Sequence, residues 1–391
     1  AWDEACGRAL GVDLDDVADR PVTTLSGGEQ KRLALEFLLR SEAEVLVLDE
    51  PDNFLDVPGK RWLAQELRAS AKTVLFVSHD RELLAEAADK IVTIEASGAW
   101  THGGGYTTYS DAKQAHDEQR AHDTQLYDLE RRRLEDHVTL MRQRARISET
   151  FAPKLKAAES RLRHFVEKHE RPDEVREQRI DVQLRGGRTG KRAVVVEHLT
   201  VAGLTEPFDL ELWYGERVAV LGGNGVGKSH FLRLLAGDTT VEHDGTWRLG
   251  ANVVPGLFHQ THQHPEWVGR TPVEILHDHD VVLAPAMAKL RRYEIHGCAH
   301  QPFETLSGGQ QARFQILLLE IGGATLLLLD EPTDNLDLVS AEALEVGLEQ
   351  FAGTVIAVTH DRWFLRGFDR FVVFGDDCTV TDHDVCPAAW R

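Results

Sequence analysis

Cysteine is scarce. Only Cys6, Cys298, Cys378 and Cys386 occur in 391 residues, and no two form a Cys-x-x-Cys pair. Neither a disulfide framework nor an iron–sulfur ferredoxin run is therefore indicated. No stretch approaches the roughly 20 apolar residues that a membrane-spanning helix needs, and no signal-peptide pattern follows Ala1. The expectation is a soluble, cytosolic chain, and Ala1 in place of Met leaves open a missing natural start. Basic charge is in deficit, with 44 Lys+Arg against 64 Asp+Glu and a formal net charge of −20. This balance argues against a general coating of nucleic acid, which needs a net basic face, but not against a local basic patch. The length suits two domains with a connector.

An internal repeat organises the chain. Leu25-Ser26-Gly27-Gly28-Glu29-Gln30 returns 281 positions later as Leu306-Ser307-Gly308-Gly309-Gln310-Gln311. The same offset links Asp49-Glu50-Pro51 to Asp330-Glu331-Pro332, Asp56 to Asp337, and His79-Asp80-Arg81 to His360-Asp361-Arg362. Four motifs at one offset predict two copies of one domain. The second has a glycine-rich loop from Gly222, 84 residues before its Leu-Ser-Gly-Gly run, whereas only 24 residues precede that run in the first. The first copy therefore lacks this loop here, through truncation or omission of the segment. A natural half-domain is disfavoured, because a parallel sheet without its first strands would expose faces that such sheets bury.

Val45–Leu48, Val74–Val77, Val218–Leu221, Leu326–Leu329 and Val355–Val358 are short apolar runs alternating with helical segments, the pattern of buried parallel strands in an α/β domain. From about Tyr109 to Leu184 the chain has no glycine and is rich in Arg, Glu, Gln and Leu. Leu126, Leu129, Leu134, Val138, Met141 and Ala145 recur as on one helix face, and Leu155, Leu162, Phe165 and Val166 continue the pattern. With Pro153 disfavouring helix just before it, two long antiparallel helices bending near Ser148–Pro153 are expected. Residues 1–107 are assigned to the first domain, 108–186 to a helical arm and 187–391 to the second domain.

Gly222-Gly223-Asn224-Gly225-Val226-Gly227-Lys228-Ser229 fits G-x-x-x-x-G-K-[ST] between a strand and a helical run. Backbone N–H groups at Gly222, Asn224, Gly225 and Gly227 would cradle phosphates, with Lys228 on the β/γ oxygens and Ser229 on Mg²⁺. Asp330 at a strand end would hold the metal and Glu331 would act as general base, and Asp49 and Glu50 repeat the pair. Alone, such a run reads equally as a strand followed by an acidic turn. Ser-Gly-Gly opening a helix, at Ser26, Gly27 and Gly28 and at Ser307, Gly308 and Gly309, suits a second phosphate contact, although in isolation it reads as a helix cap.

Together with Gln260 after the next strand and the strand-end His79 and His360, these motifs resemble those of the ATP-binding-cassette ATPases. The resemblance implies two P-loop cassettes, the first incomplete at its N-terminus, joined by a long antiparallel helical hairpin. It also implies head-to-tail pairing. ATP and Mg²⁺ on Gly222–Ser229 would be closed by Ser26, Gly27 and Gly28, with Gln260, Glu331 and His360 sensing metal, water and γ-phosphate. The other site would use Ser307, Gly308, Gly309, Asp49, Glu50 and His79. Two cassettes, no membrane segment and an intervening arm resemble the ABC-F subfamily. That likeness implies a ribosomal partner (rRNA and P-site tRNA), a role in translation or antibiotic resistance, and an arm reaching toward the peptidyl-transferase centre. Departures from the motif often seen there are Asp-Glu-Pro-Asp-Asn-Phe-Leu-Asp at 49–56 and Asp-Glu-Pro-Thr-Asp-Asn-Leu-Asp at 330–337, and His230 after Lys-Ser. Val201 lies near the place expected for a base-stacking side chain.

Charge distribution is independent of that likeness. Thr108–Arg192 holds 20 Lys+Arg and 16 Asp+Glu, and Arg142, Arg144, Arg146, Lys154 and Lys156 face only Glu149 within Arg142–Lys156. A basic bend on an acidic body suits selective entry into an RNA cavity, with Ile147, Phe151 and Leu155 adding apolar or stacking surface. A solvated charged hairpin is the plainer alternative. Arg185–Arg192 reads as a flexible linker rather than an RNA clamp, and the histidines of His259–His300 as exposed loop residues rather than metal ligands. The rival functions are the cytosolic ATPase subunit of a drug exporter and a DNA-reading cassette protein. No DNA partner is expected.

Overall fold

The computed structural model describes residues 7, 21–25, 27–53, 55–95, 98–172, 180–259, 264–334 and 336–390. They form two compact units, Ala1–Ala87 with Gln178–Arg391, and Ala88–Glu177.

In chain order, the part of the first copy lying in the first unit contributes α1 (Gly27–Arg40), β1 (Val45–Asp49), α2 (Val57–Ala69), β2 (Thr73–Val77) and α3 (Arg81–Ala87). The second unit holds β3 (Ile91–Glu95), β4 (Gly98–His102), α4 (Tyr109–Ile147) and α5 (Ala152–Lys168). The second copy follows with β5 (Arg192–Val201), β6 (Phe208–Trp213), β7 (Arg217–Gly222), α6 (Lys228–Leu235), β8 (His243–Leu249), β9 (Pro255–Phe258), α7 (Pro272–Asp278), α8 (Leu283–Arg292), α9 (Gly308–Ile321), β10 (Leu326–Asp330), α10 (Leu338–Gln350), β11 (Thr354–Val358), β12 (Arg370–Phe374) and β13 (Val380–His383).

The repeat carries through to register. β1 and β2 pair in parallel from Val45↔Thr73 to Asp49↔Val77, and β10 and β11 from Leu326↔Thr354 to Asp330↔Val358, each residue 281 positions on. The caps repeat as well: the Asp56 carboxylate accepts from Gly59 N (2.9 Å) and pairs with Arg32, and the Asp337 carboxylate accepts from Ser340 N (2.8 Å) and pairs with Arg313. An aspartate one residue before a helix satisfies its unbonded N–H groups, so both copies start this helix at the same place.

The layers around the strands differ. In the second copy β13-β12-β7-β11-β10-β9 form one sheet, parallel except for the edge strand β13, and β6-β5-β8 form an antiparallel sheet. Leu326 and Leu328 pack toward that second sheet and α6, while Leu327 and Leu329 pack into the opposite core with α9 and α10. β10 and β11 are buried throughout, as expected. For the first copy that expectation is corrected: Leu46 and Leu48 are buried, but Val45, Val47, Leu75 and Val77 are exposed. Strand alternation sends these four to the face that α6 and the antiparallel sheet cover in the second copy, and no described element covers it in the first.

In the second unit, α4 is 39 residues long, about 58 Å at 1.5 Å per residue. Contacts such as Arg142–Glu159 (2.9 Å) and Tyr127–Phe165 (5.0 Å between ring centres) show α5 running antiparallel to it. The inner face differs from the expected one. Thr124, Tyr127, Val138 and Met141 are buried, whereas Leu126 and Leu129 are exposed. Steps of three, four and seven residues connect Thr124, Tyr127, Leu134, Val138 and Met141 on one face, and place Leu126 and Leu129 off that stripe. At the bend, Arg144 and Lys154 lie over the Phe151 ring at 5.9 and 5.1 Å. Arg146 and Lys156 are exposed there.

Arg185–Arg192 is not the free linker expected. Leu184 is buried, Ala352 N donates to Arg185 O (3.4 Å) and Gly190 N to Ala251 O (2.9 Å). Gly186 sits at φ +64, where a Cβ would meet Gly353 N at 2.8 Å, so both conformation and space demand glycine.

Candidate active site

β7 ends in a loop whose Gly222, Gly225 and Gly227 have φ of +152, +85 and +101, conformations that keep the backbone close-wound before α6. The Lys228 side chain is buried and folds back, donating from Nζ to the carbonyls of Gly222 (2.8 Å) and Gly223 (2.6 Å). Its ammonium sits over the mouth of the loop, and burial lowers its pKa against the pull of Glu331 and Asp330. Ser229 Oγ donates to Asp330 Oδ1 at 3.0 Å, joining the start of α6 to the end of β10. Burial raises the Asp330 carboxyl, which Ser229 and Lys228 only partly offset. A hydroxyl and an incompletely compensated carboxylate are the hard oxygen donors that Mg²⁺ takes, and the loop with Lys228 fits a polyphosphate.

Glu331 adopts φ +46, the left-handed region that non-glycine residues seldom enter, and Glu50 does the same at φ +43. In both, the backbone N–H bonds the second strand: Glu331 N to Val358 O (3.0 Å) and Glu50 N to Val77 O (2.9 Å). Strain at matching positions is what a functional turn stores. His360 N donates to Glu331 Oε2 (3.0 Å), and His360 Nε2 lies 3.4 Å from Glu331 Oε1. Burial, then repulsion from Asp334, raises the Glu331 carboxyl well above the ordinary range. Burial, Lys228 and Lys60 push the His360 imidazole well below its ordinary value, so the ring is neutral at physiological pH. The pair is a proton acceptor of raised basicity with an uncharged partner, suited to polarising a water.

The equivalent pair is looser. His79 Nε2 stands 3.7 Å from Glu50 Oε1, with the side chains 46% and 42% exposed against 9% and 7% for His360 and Glu331. Asp49 is exposed. Ser307 N-caps α9 in a reciprocal box with Gln310, Gly308 and Gly309 form the first turn, and Ser307 is exposed.

A cavity of about 260 Å³ brings the copies together. Gly27, Gly28, Asp52, Lys60, His79 and Asp80 come from the first copy, and Asn224, Glu331, Thr333, Asp334, His360 and Asp361 from the second. Gly27 and Gly28 thus share a wall with Asn224 of the glycine-rich loop. Ser26 and Gln260 lie outside the described residues. Val201 is fully buried in the core and unavailable to a base. His264 is not an exposed loop residue: it is buried, stacked on Trp267 at 3.8 Å and paired with Glu266 (2.9 Å). An apolar slot closed by a tryptophan ring holds an imidazole once one nitrogen is paired.

Sequence motifs did not single out Lys60 or the cross-copy ion pairs. Arg81 pairs with Glu345 and lies 3.5 Å from Asp361, and Arg362 pairs with Glu86 (2.9 Å). The available signal was the repeat itself: Lys60 faces Ala341 and Glu345 faces Ala64 at the 281-residue offset, so these positions differ between the copies.

Residues 6–53 and 205–334 match the protein family described as ABC transporter. A protein of Mycobacteroides abscessus named Antibiotic resistance protein is 52% identical over 399 residues, 96% of this chain and 72% of that protein. Ribosome protection protein VmlR of Bacillus subtilis is 30% identical over 378 residues, 88% of this chain and 66% of its own. A solved structure described as RNase-L Inhibitor superposes with a TM-score of 0.60 at 20% identity, covering 95% of this chain and 65% of its own, a likeness of fold. Among the described residues no helix is long and apolar enough to cross a membrane.

Proposed function

The chain belongs to the ABC-F subfamily of ATP-binding-cassette ATPases, and from that premise we propose that it hydrolyses ATP between its two copies and uses their closure to act on the ribosome. The single observation that carries the chemistry is the cavity in which Gly27 and Gly28 of one copy face Asn224, Glu331 and His360 of the other. Lys228 and the backbone N–H groups of Gly222–Ser229 would hold the β- and γ-phosphates. Ser229 and Asp330, with Gln260, would hold Mg²⁺, which when bound neutralises charge on the transferring phosphoryl group. Glu331 takes the proton of the attacking water, and His360 holds that carboxylate through its backbone N–H and ring. Gly27 and Gly28, with Ser26, complete the site from the opposite side and exclude water. Nucleotide contacts of this kind exist only with the copies together, so ATP shifts the population toward the closed form. Ser307, Gly308, Gly309, Asp49, Glu50 and His79 would serve the second site.

A ribosomal target is supported by the resistance and ribosome-protection relatives. The basic bend of the α4–α5 hairpin supports it too, with Arg142, Arg144, Arg146, Lys154 and Lys156 as the RNA-contacting set reaching toward P-site tRNA. Glu331→Gln combined with Glu50→Gln should trap the protein on ribosomes in ATP, read by co-sedimentation. A variant that sediments free of ribosomes sinks the proposal.

A further inference from the structure

Two motif departures, Asp52 and Asp334, line one cavity with Lys60. Lys60, in the first turn of α2, extends its ammonium to Asp80 Oδ2 at 2.9 Å, with both side chains under a tenth exposed. Asp52, which accepts from Ser78 Oγ at 2.7 Å, lines the same cavity from the first copy, and Asp334 and Asp361 line it from the second. Lys60 and the four aspartates line the cavity that holds Glu331 and His360. The offset places Thr333 opposite Asp52, Asn53 opposite Asp334 and Ala341 opposite Lys60, so the second copy supplies no equivalent ammonium.

We propose that Lys60 is a positioning residue for the Glu331–His360 site, acting from the opposite copy. Four aspartates and Glu331 around one cavity repel, and a single buried ammonium makes their approach favourable. Arg81, 3.5 Å from Asp361, balances that carboxylate in part. Asp334 is three residues beyond Glu331, and its backbone N–H donates to Glu331 O at 3.3 Å. Drawing the Asp334 carboxylate toward Lys60 therefore fixes the turn on which Glu331 is carried. Lys60 does this in trans, so the turn is fixed only while the copies are together, and the device favours one of the two sites. Burial holds the Asp334 carboxyl up at about 6 even with Lys60 nearby, so loss of the ammonium would leave its anion poorly compensated.

The inference rests on the ATPase reading, and steady-state ATP turnover of the full chain separates the two. Lys60→Met should lower kcat at least fivefold while KM for ATP stays within twofold, because Lys60 is not part of the phosphate loop. Lys60→Arg should recover at least half the loss. Adding Asp334→Asn to Lys60→Met should also recover activity severalfold, since the first copy already carries Asn53 at that position. Should Lys60→Met fail to fold by circular dichroism, Lys60→Gln, which keeps a donor for Asp80 without charge, carries the same expectation. Turnover that depends on Glu331 but not on Lys60 overturns the proposal alone. So does a loss that neither Lys60→Arg nor Asp334→Asn relieves. Wild-type turnover that Glu331→Gln leaves unchanged overturns the ATPase reading and this proposal with it.

Discussion

The two copies offer a controlled comparison within one chain: equal registers, equal caps and equal strained glutamates, but different surroundings. Val47 is 74% exposed and its counterpart Leu328 is fully buried, and Glu50–His79 is open where Glu331–His360 is enclosed. Local geometry is the same in both, so the strand-to-turn sequence sets it. Electrostatic character is not the same, because desolvation needs neighbours from other segments.

The largest expected contrast is in stability. Leu328→Ala should cost about 3 kcal/mol or more, as burial of a leucine in a filled core implies, whereas Val47→Ala should stay within about 0.5 kcal/mol. Urea unfolding of the two variants measures this, and equal losses would mean the first-copy face is covered. Next comes catalysis. Glu331→Gln should lower ATP turnover about 100-fold, the scale of a lost general base, while Glu50→Gln changes it less than about threefold. A reversed order would move the chemistry to the other pair.

A third contrast is pH-dependent. Asp334 is raised from 3.8 to about 6 by burial and by Asp361, Asp52 and Asp330, against Lys60. The folded state thus binds the extra proton, and stability contributed by this group falls as pH rises from about 4 to about 6. Asp334→Asn, which mimics Asn53, should gain stability relative to wild type across that window and hold the gain above it, read from unfolding midpoints at a series of pH values. The smallest effect tests where the copies agree. Asp56→Ala and Asp337→Ala should each cost about 1 kcal/mol through loss of the cap, and unequal costs in calorimetry would show that the caps are not equivalent.

Much of the site was legible from spacing. The glycine-rich loop, the strand-end Asp-Glu and the His at one offset located Lys228, Asp330, Glu331 and His360, because each needs a backbone position that short motifs encode. The hairpin's inner face was misjudged because two leucines outweighed Thr124 and Tyr127 in a pattern of apolar residues, although steps of three and four are what decide a stripe. Arg185–Arg192 looked mobile because charge and glycine usually mark linkers, yet Gly186 is glycine for close packing on Gly353.

The duplicated elements, their registers, their caps and the residues of the glycine-rich loop and the strand-end Asp-Glu pairs were fixed by the chain alone, since these depend on backbone conformation and contacts a few residues apart. Which glutamate is buried, which strand face is covered and which aspartates share a cavity with Lys60 were settled by packing. Burial and Coulomb energy are sums over segments distant in the chain, and no local spacing encodes them.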